Sequence, residues 1–162
     1  VQETPEGGGT ARAALRPSEI PAIVIDTREQ LAYGFDGFFT ERRKLDTGDY
    51  SLVGYENRVA VERKSKADAY GCVGAGRDRF ERCLRRLGEI ERPAVVIEAD
   101  LADFAVPPPR TRITAAQAVG SYVSWSCTYR IPIFFCGTRA YSERVTLRWL
   151  MAFLKHVAGG GA

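Results

Sequence analysis

The chain has 162 residues, a length that fits one domain with a core of its own. A hydrophobic content of 45% with 27% charged residues is ordinary for a globular protein and names no function. The net charge of +3 and pI near 8.8 permit a nucleic-acid partner without requiring one.

Residues 1–18 carry Pro5, a glycine triplet and no periodicity, and read as a disordered arm ahead of a domain at 19–158. After Pro21 the run AIVIDTR predicts a central strand covered on both faces and ending in charge. Residues 31–40 are loop-like, with Tyr33, Phe35, Phe38 and Phe39 expected to anchor the loop in the core; stacking on splayed bases is the second reading. Three further strands, near Arg42–Asp46, Tyr50–Val53 and Arg58–Ser65, predict an antiparallel meander with a turn at Gly54–Asn57.

Helical patterning then covers Lys66–Val73 and Arg79–Ile90, separated by Gly71, Gly74 and Gly76. No GK[ST] follows those glycines, so a helix break is preferred to a phosphate loop. PAVVIEA from Pro93 is a buried strand, Pro107–Pro109 a stiff loop, Ile113–Arg130 a helix, Ile131–Cys136 a strand and Tyr141–Val157 a last helix. Residues 159–162 form a tail. The order predicts an α/β fold, three-layer α/β/α around a mixed sheet. No apolar run is long enough to span a membrane and no leader opens the chain, so a cytoplasmic protein is expected, nucleoid-associated if bacterial and nuclear if a eukaryotic fragment.

Chemistry must be found without histidine. His156 is the only one and falls in the last helical turn, so hydrolysis has carboxylates, metal and lysine to work with. The cysteines Cys72, Cys83, Cys127 and Cys136 form no CxxC pair and read as reduced thiols. In VAVERKS, strand alternation puts Glu62 and Lys64 on one face and Val59 and Val61 on the other. Asp49 follows Gly48 at the turn into the hairpin and can sit beside Glu62, giving a hard-oxygen nest for Mg²⁺, or Mn²⁺ in its place. Asp26 and Arg28 converge on the same rim, and Asp68 lies one helical turn beyond Lys64. Such a set supplies what phosphodiester hydrolysis needs: an activated water, a polarised phosphoryl oxygen and a stabilised leaving 3′ oxygen. Lys64 is expected to orient or deprotonate the water or neutralise charge, and Arg63 to hold a phosphate. Arg77, Arg79, Arg82, Arg85 and Arg86 make a basic helix, read either as a phosphate-tracking surface or as a solvated face paired with Glu81 and Glu89.

Gly48-Asp49 followed by Glu62-Arg63-Lys64 and Asp68 resembles the GDxnERKx3D signature of the XPF-type endonuclease family, and VIDTRE (24–29) resembles its first-strand motif. The resemblance covers roughly residues 21–157. It implies a restriction-endonuclease-like fold and cleavage of branched DNA such as flaps, forks or bubbles, in repair or recombination. It implies metal ligands at Asp49 and Glu62 with Asp26 close by, a catalytic Lys64, and supporting roles for Arg28, Arg63 and Asp68, and it includes Glu29. A family arginine in the next helix falls on Arg77 or Arg79, and with Arg63 and Arg82 these are the expected DNA contacts. Family members often add helix-hairpin-helix modules or a helicase, which this chain does not contain, so it is similar to stand-alone versions or to a fragment. The family dimerises near the region of Tyr122, Trp125 and Tyr129, where core packing is the first reading and a homodimer interface the second. Two rivals are a catalytically silent DNA-binding partner subunit and a restriction-type duplex nuclease.

Overall fold

The computed structural model describes residues 19–159. The expected arm at 1–18 and all of the tail but Gly159 lie outside them. A six-stranded mixed sheet forms the middle layer. Its strands are β1 (Ile23–Asp26), β2 (Thr40–Arg43), β3 (Tyr50–Leu52), β4 (Val59–Ser65), β5 (Arg92–Glu98) and β6 (Ile133–Phe135), in the spatial order β2-β1-β3-β4-β5-β6. β1–β3 and β3–β4 pair antiparallel, whereas β1–β2, β4–β5 and β5–β6 are parallel.

Among the described residues, five helices cover the two faces: α1 (Lys66–Val73), α2 (Arg77–Leu87), α3 (Leu101–Phe104), α4 (Ala115–Tyr129) and α5 (Arg139–Ala158). Alternation along β4 and β5 divides the core. Ala60, Val95 and Ile97 pack with Phe80, Leu84, Phe104, Tyr122 and Trp125 from the α1–α4 side. Val59, Val61, Ala94 and Val96 pack with Leu150, Phe153 and Leu154 of α5. The expected three-layer architecture is therefore present, with β5 buried on both faces as its apolar run predicts.

The meander is not as expected. β3 and β4 form the hairpin, but β2 lies on the far side of β1 and runs parallel to it. The segment between β1 and β2 explains this: it buries Tyr33 and Phe35 against Tyr50 on the α5 face and returns the chain to the start of β1. That burial is the core anchoring expected of these aromatics, while Phe39 stays exposed. β2 itself is Thr-Glu-Arg-Arg, exposed throughout, a composition suited to an outer edge. Short α3, capped by Asp100, was not expected. Tyr122 and Trp125 are core residues, as the first reading had it, with Tyr129 packed partly buried against that core.

Candidate active site

Asp49 sits where β3 begins, held between two strands. Its carbonyl accepts the Asp26 N–H and its own N–H donates to Val61 O, both at 2.8 Å. Gly48 makes the entry possible: its φ is +79°, and a Cβ there would lie 3.1 Å from Ala60 Cβ and 3.3 Å from Val61 O. β3 ends its pairing with β4 at Tyr50–Val61, so the last residues of β4 have no strand neighbour on that side among the described residues. The Asp49 carboxylate takes the missing strand's place, its Oδ2 accepting the Arg63 N–H at 2.7 Å.

Glu62 and Lys64 project to the α1–α2 face, where Lys64 Nζ donates to Glu62 Oε1 and lies 5.2 Å from the Phe80 ring centroid. With Asp26, Arg28, Asp46, Thr47, Gly48, Asp49, Cys72, Arg79, Phe80, Cys83 and Arg86 they line a cleft of about 200 Å³. Burial, and then the nearby Glu62 charge, push the Asp49 carboxyl up to about 8, against the Arg63 N–H and Lys64. For Lys64, burial opposes the charge, but Glu62 and Asp49 outweigh it and raise the ammonium above its ordinary value. Lys64 is thus held as a cation, a donor and a charge rather than a proton acceptor.

Asp26 is 1% exposed and differently engaged. Its Oδ1 accepts from Arg28 N (2.8 Å) and Nε (2.7 Å), and its Oδ2 from Leu45 N (2.6 Å) and Arg28 Nη2 (3.1 Å). Burial works to raise this carboxyl, yet those bonds together hold it below the usual range. Among the described residues no three Asp, Glu, His or Cys side chains are grouped to hold one metal ion. Asp26 lines the cleft but does not join Asp49 and Glu62 as a third ligand here, because its oxygens are already taken. The Asp49–Glu62 pair does fit a hard cation: two like charges are packed together, one of them reluctant to ionise. Thr47 Oγ1, in the same wall, is buried with no hydrogen-bond partner among the described residues.

Arg63 departs most from expectation. Between Glu62 and Lys64 it must point to the opposite face, and its side chain is only 8% exposed. Its guanidinium is bound twice by Glu98, Nε–Oε1 at 2.8 Å and Nη2–Oε2 at 2.9 Å, so it is not placed to hold a phosphate. Glu29 joins that group, 3.4 Å from Arg63 Nη1. Asp68 is a helix-capping partner: Ser65 Oγ accepts from Asp68 N and donates to Asp68 Oδ2. Of the two candidate arginines on α2, Arg79 lines the cleft, while Arg77 turns to α4, paired with Glu81 and lying over the Trp125 ring. Arg82 is exposed and not part of the lining. Arg86, one of the arginines of the basic helix and seven residues from Arg79, so on the same helical face, does line the cleft. Asp46 and Thr47 line it too, and nothing in the sequence marked them. His156 contacts Arg92, at the opposite end of β5 from the cleft.

The ERCC4 domain family model matches residues 25–148. XPF from Aeropyrum pernix is similar in structure, with a TM-score of 0.67 at 20% identity over 86% of this chain and 68% of that one. XPF from Aeropyrum pernix in complex with DNA gives a TM-score of 0.66 at 21% identity over 83% and 66%. This chain therefore spans about two thirds of those chains, and the likeness bears out the restriction-endonuclease-like fold. No curated protein sequence matches it. The family match takes in every residue lining the cleft and well over half of the sequence, and the chain belongs to the ERCC4 domain family, a family of nucleases.

Proposed function

We propose that this domain is a Mg²⁺-dependent endonuclease that hydrolyses phosphodiester bonds in branched DNA such as flaps, forks and bubbles, in repair or recombination. The observation that carries the chemistry is the cleft in which Asp49 and Glu62 crowd together beside the half-buried Lys64 ammonium. Asp49 and Glu62 are the residues that would hold the metal, which, when bound, supplies Lewis acidity and an acidified water. Lys64, fixed by Glu62, presents a positive charge where negative charge builds on the phosphoryl oxygens. Arg79 and Arg86 line the cleft from α2 and favour entry of a polyanionic strand. Arg28 offers its exposed side chain at the rim while its inner nitrogens clamp Asp26. The branched-DNA part of the proposal is supported by the family resemblance and by the fold shared with XPF.

A homodimer belongs to the same proposal. The outer face of α4 and β6, the strand at the sheet edge, form an open apolar groove lined by Val123, Cys127, Ile133 and Phe135, a surface suited to a second copy. The deciding experiment is cleavage of labelled flap, fork, single-stranded and plain duplex DNA with Mg²⁺ by wild type and by Asp49→Asn. The expected result is incision of branched substrates by wild type, and at least a 100-fold loss in the variant with DNA binding retained. Equal cleavage by the variant would overturn the assignment of the site, and cutting confined to plain duplex would favour a restriction-type enzyme.

A further inference from the structure

The face of the sheet opposite the cleft carries a second charged cluster, built from four separate pieces of chain. Arg63 comes from β4, Glu98 from the end of β5, Glu29 from the loop after β1 and Arg139 from the first turn of α5. Glu98 is the hub. It chelates the Arg63 guanidinium, accepts from Tyr33 Oη at 3.1 Å and lies 3.3 Å from Arg139 Nη1. Its side chain is 12% exposed, and that of Arg63 8%. The two arginines also sit over the Tyr33 ring, 5.6 and 4.9 Å from its centroid, and Tyr33 stacks on Tyr50 at 5.0 Å. Two cations and two anions balance, so the cluster is closed in charge.

The position of this cluster relative to the cleft is specific. The β4–β5 register places Glu98 opposite Ser65, two residues along from the partner of Arg63, so the two side chains meet diagonally on one face. The Arg63 backbone N–H, on the free side of β4, is the donor to Asp49 Oδ2. Tyr50, which follows Asp49, is the residue under Tyr33. Among the described residues the end of β4 is paired with β5 but has no strand on its β3 side, and the Arg63 side chain is gripped from the opposite face.

Resting on the nuclease reading of the cleft, we propose that Glu98 is a positioning residue for the reaction. By gripping the Arg63 side chain from the rear of the sheet, it keeps the Arg63 N–H on Asp49 Oδ2 and so fixes the Asp49 carboxylate against Glu62. Arg139 assists by holding Glu98 and by donating to the carbonyls of Leu31 (2.6 Å) and Ala32 (2.7 Å), which pins the loop carrying Glu29. Glu98 touches no reacting atom in this scheme.

The test has two readouts on Glu98→Gln. In steady-state cleavage of the DNA substrate that wild type cuts best, kcat is expected to fall about 10-fold or more, with KM within about twofold of wild type, because the residue orients the site without contacting DNA. Independently of activity, hydrogen exchange of the Arg63 amide by NMR is expected to quicken at least 10-fold while the amides of Val95 and Val96 stay protected. An unchanged Arg63 exchange rate, or a wild-type kcat, overturns the proposal, and so does a KM rise with kcat intact. Should Glu98→Gln fail to fold, Arg139→Ala is read in the same two ways, with the same direction expected for each. If wild type cleaves none of the DNAs, the nuclease reading fails, while the amide measurement still decides whether Glu98 holds the Arg63–Asp49 contact.

Discussion

At the scale of single residues, Asp49 carries the tension of the site. A carboxyl that would ionise near 4 in the unfolded chain is pushed up to about 8 by burial and by Glu62. The native state therefore binds more protons than the unfolded one between those values, and stability falls as pH rises through that window. Asparagine keeps an oxygen for the Arg63 N–H and has no such dependence. In metal-free buffer, thermal melts should show Asp49→Asn more stable than wild type at pH 8–9, by about 1–3 kcal/mol, with the difference vanishing near pH 4. Added Mg²⁺ should narrow the gap by stabilising only the wild type. A gap that did not change with pH would contradict the crowding of Asp49 and Glu62. Asp26 behaves oppositely: its carboxyl is held low by Arg28 and Leu45, so its contribution is present at neutral pH and is lost on acidification.

At the scale of elements, the join between β4 and α1 sets the geometry of the cleft. Ser65 ends the strand and caps the helix, its hydroxyl serving both the N–H and the carboxylate of Asp68. The spacing from Lys64 to Asp68 thus has a structural reason: the strand needs a one-residue stop, and the helix needs an acid in its first turn. Ser65→Ala should cost about 1 kcal/mol in chemical denaturation. It should also quicken amide exchange in the first turn of α1 with little effect on α4. Much of this organisation was legible beforehand. Alternation in VAVERKS separated Glu62 and Lys64 from the valines, and apolar runs located β1 and β5. The position of β2 was not legible, because an all-polar strand carries no facing signal and the pairing depended on where Tyr33 and Phe35 came to rest. Neither was the Asp26–Arg28 clamp, since two residues converging on a rim do not reveal which of their atoms are already engaged.

At the scale of the whole molecule, the sheet works as a partition with a different chemistry on each side. The cleft on one face is crowded and lined by charged side chains; the cluster around Glu98 on the other is balanced in charge. The two back onto each other at Glu62-Arg63-Lys64 of β4, and the phosphate-holding role read for Arg63 from its charge left out the parity that turns its side chain away from the cleft. Glu62 and Lys64 belong to the cleft by even number, and Arg63 to the rear by odd. It follows that the order of these residues is information that composition does not hold. Exchanging the two cations, Arg63→Lys with Lys64→Arg, leaves the net charge, length and strand propensity of the segment almost unchanged. Yet it would give Glu98 a single-point partner in place of a fork and force a planar guanidinium into the space beside Phe80. The transposed protein should still show the circular dichroism of a folded α/β domain while losing at least 100-fold in cleavage rate. A segment that reads as a run of charge behaves as a word, in which the letters cannot be permuted.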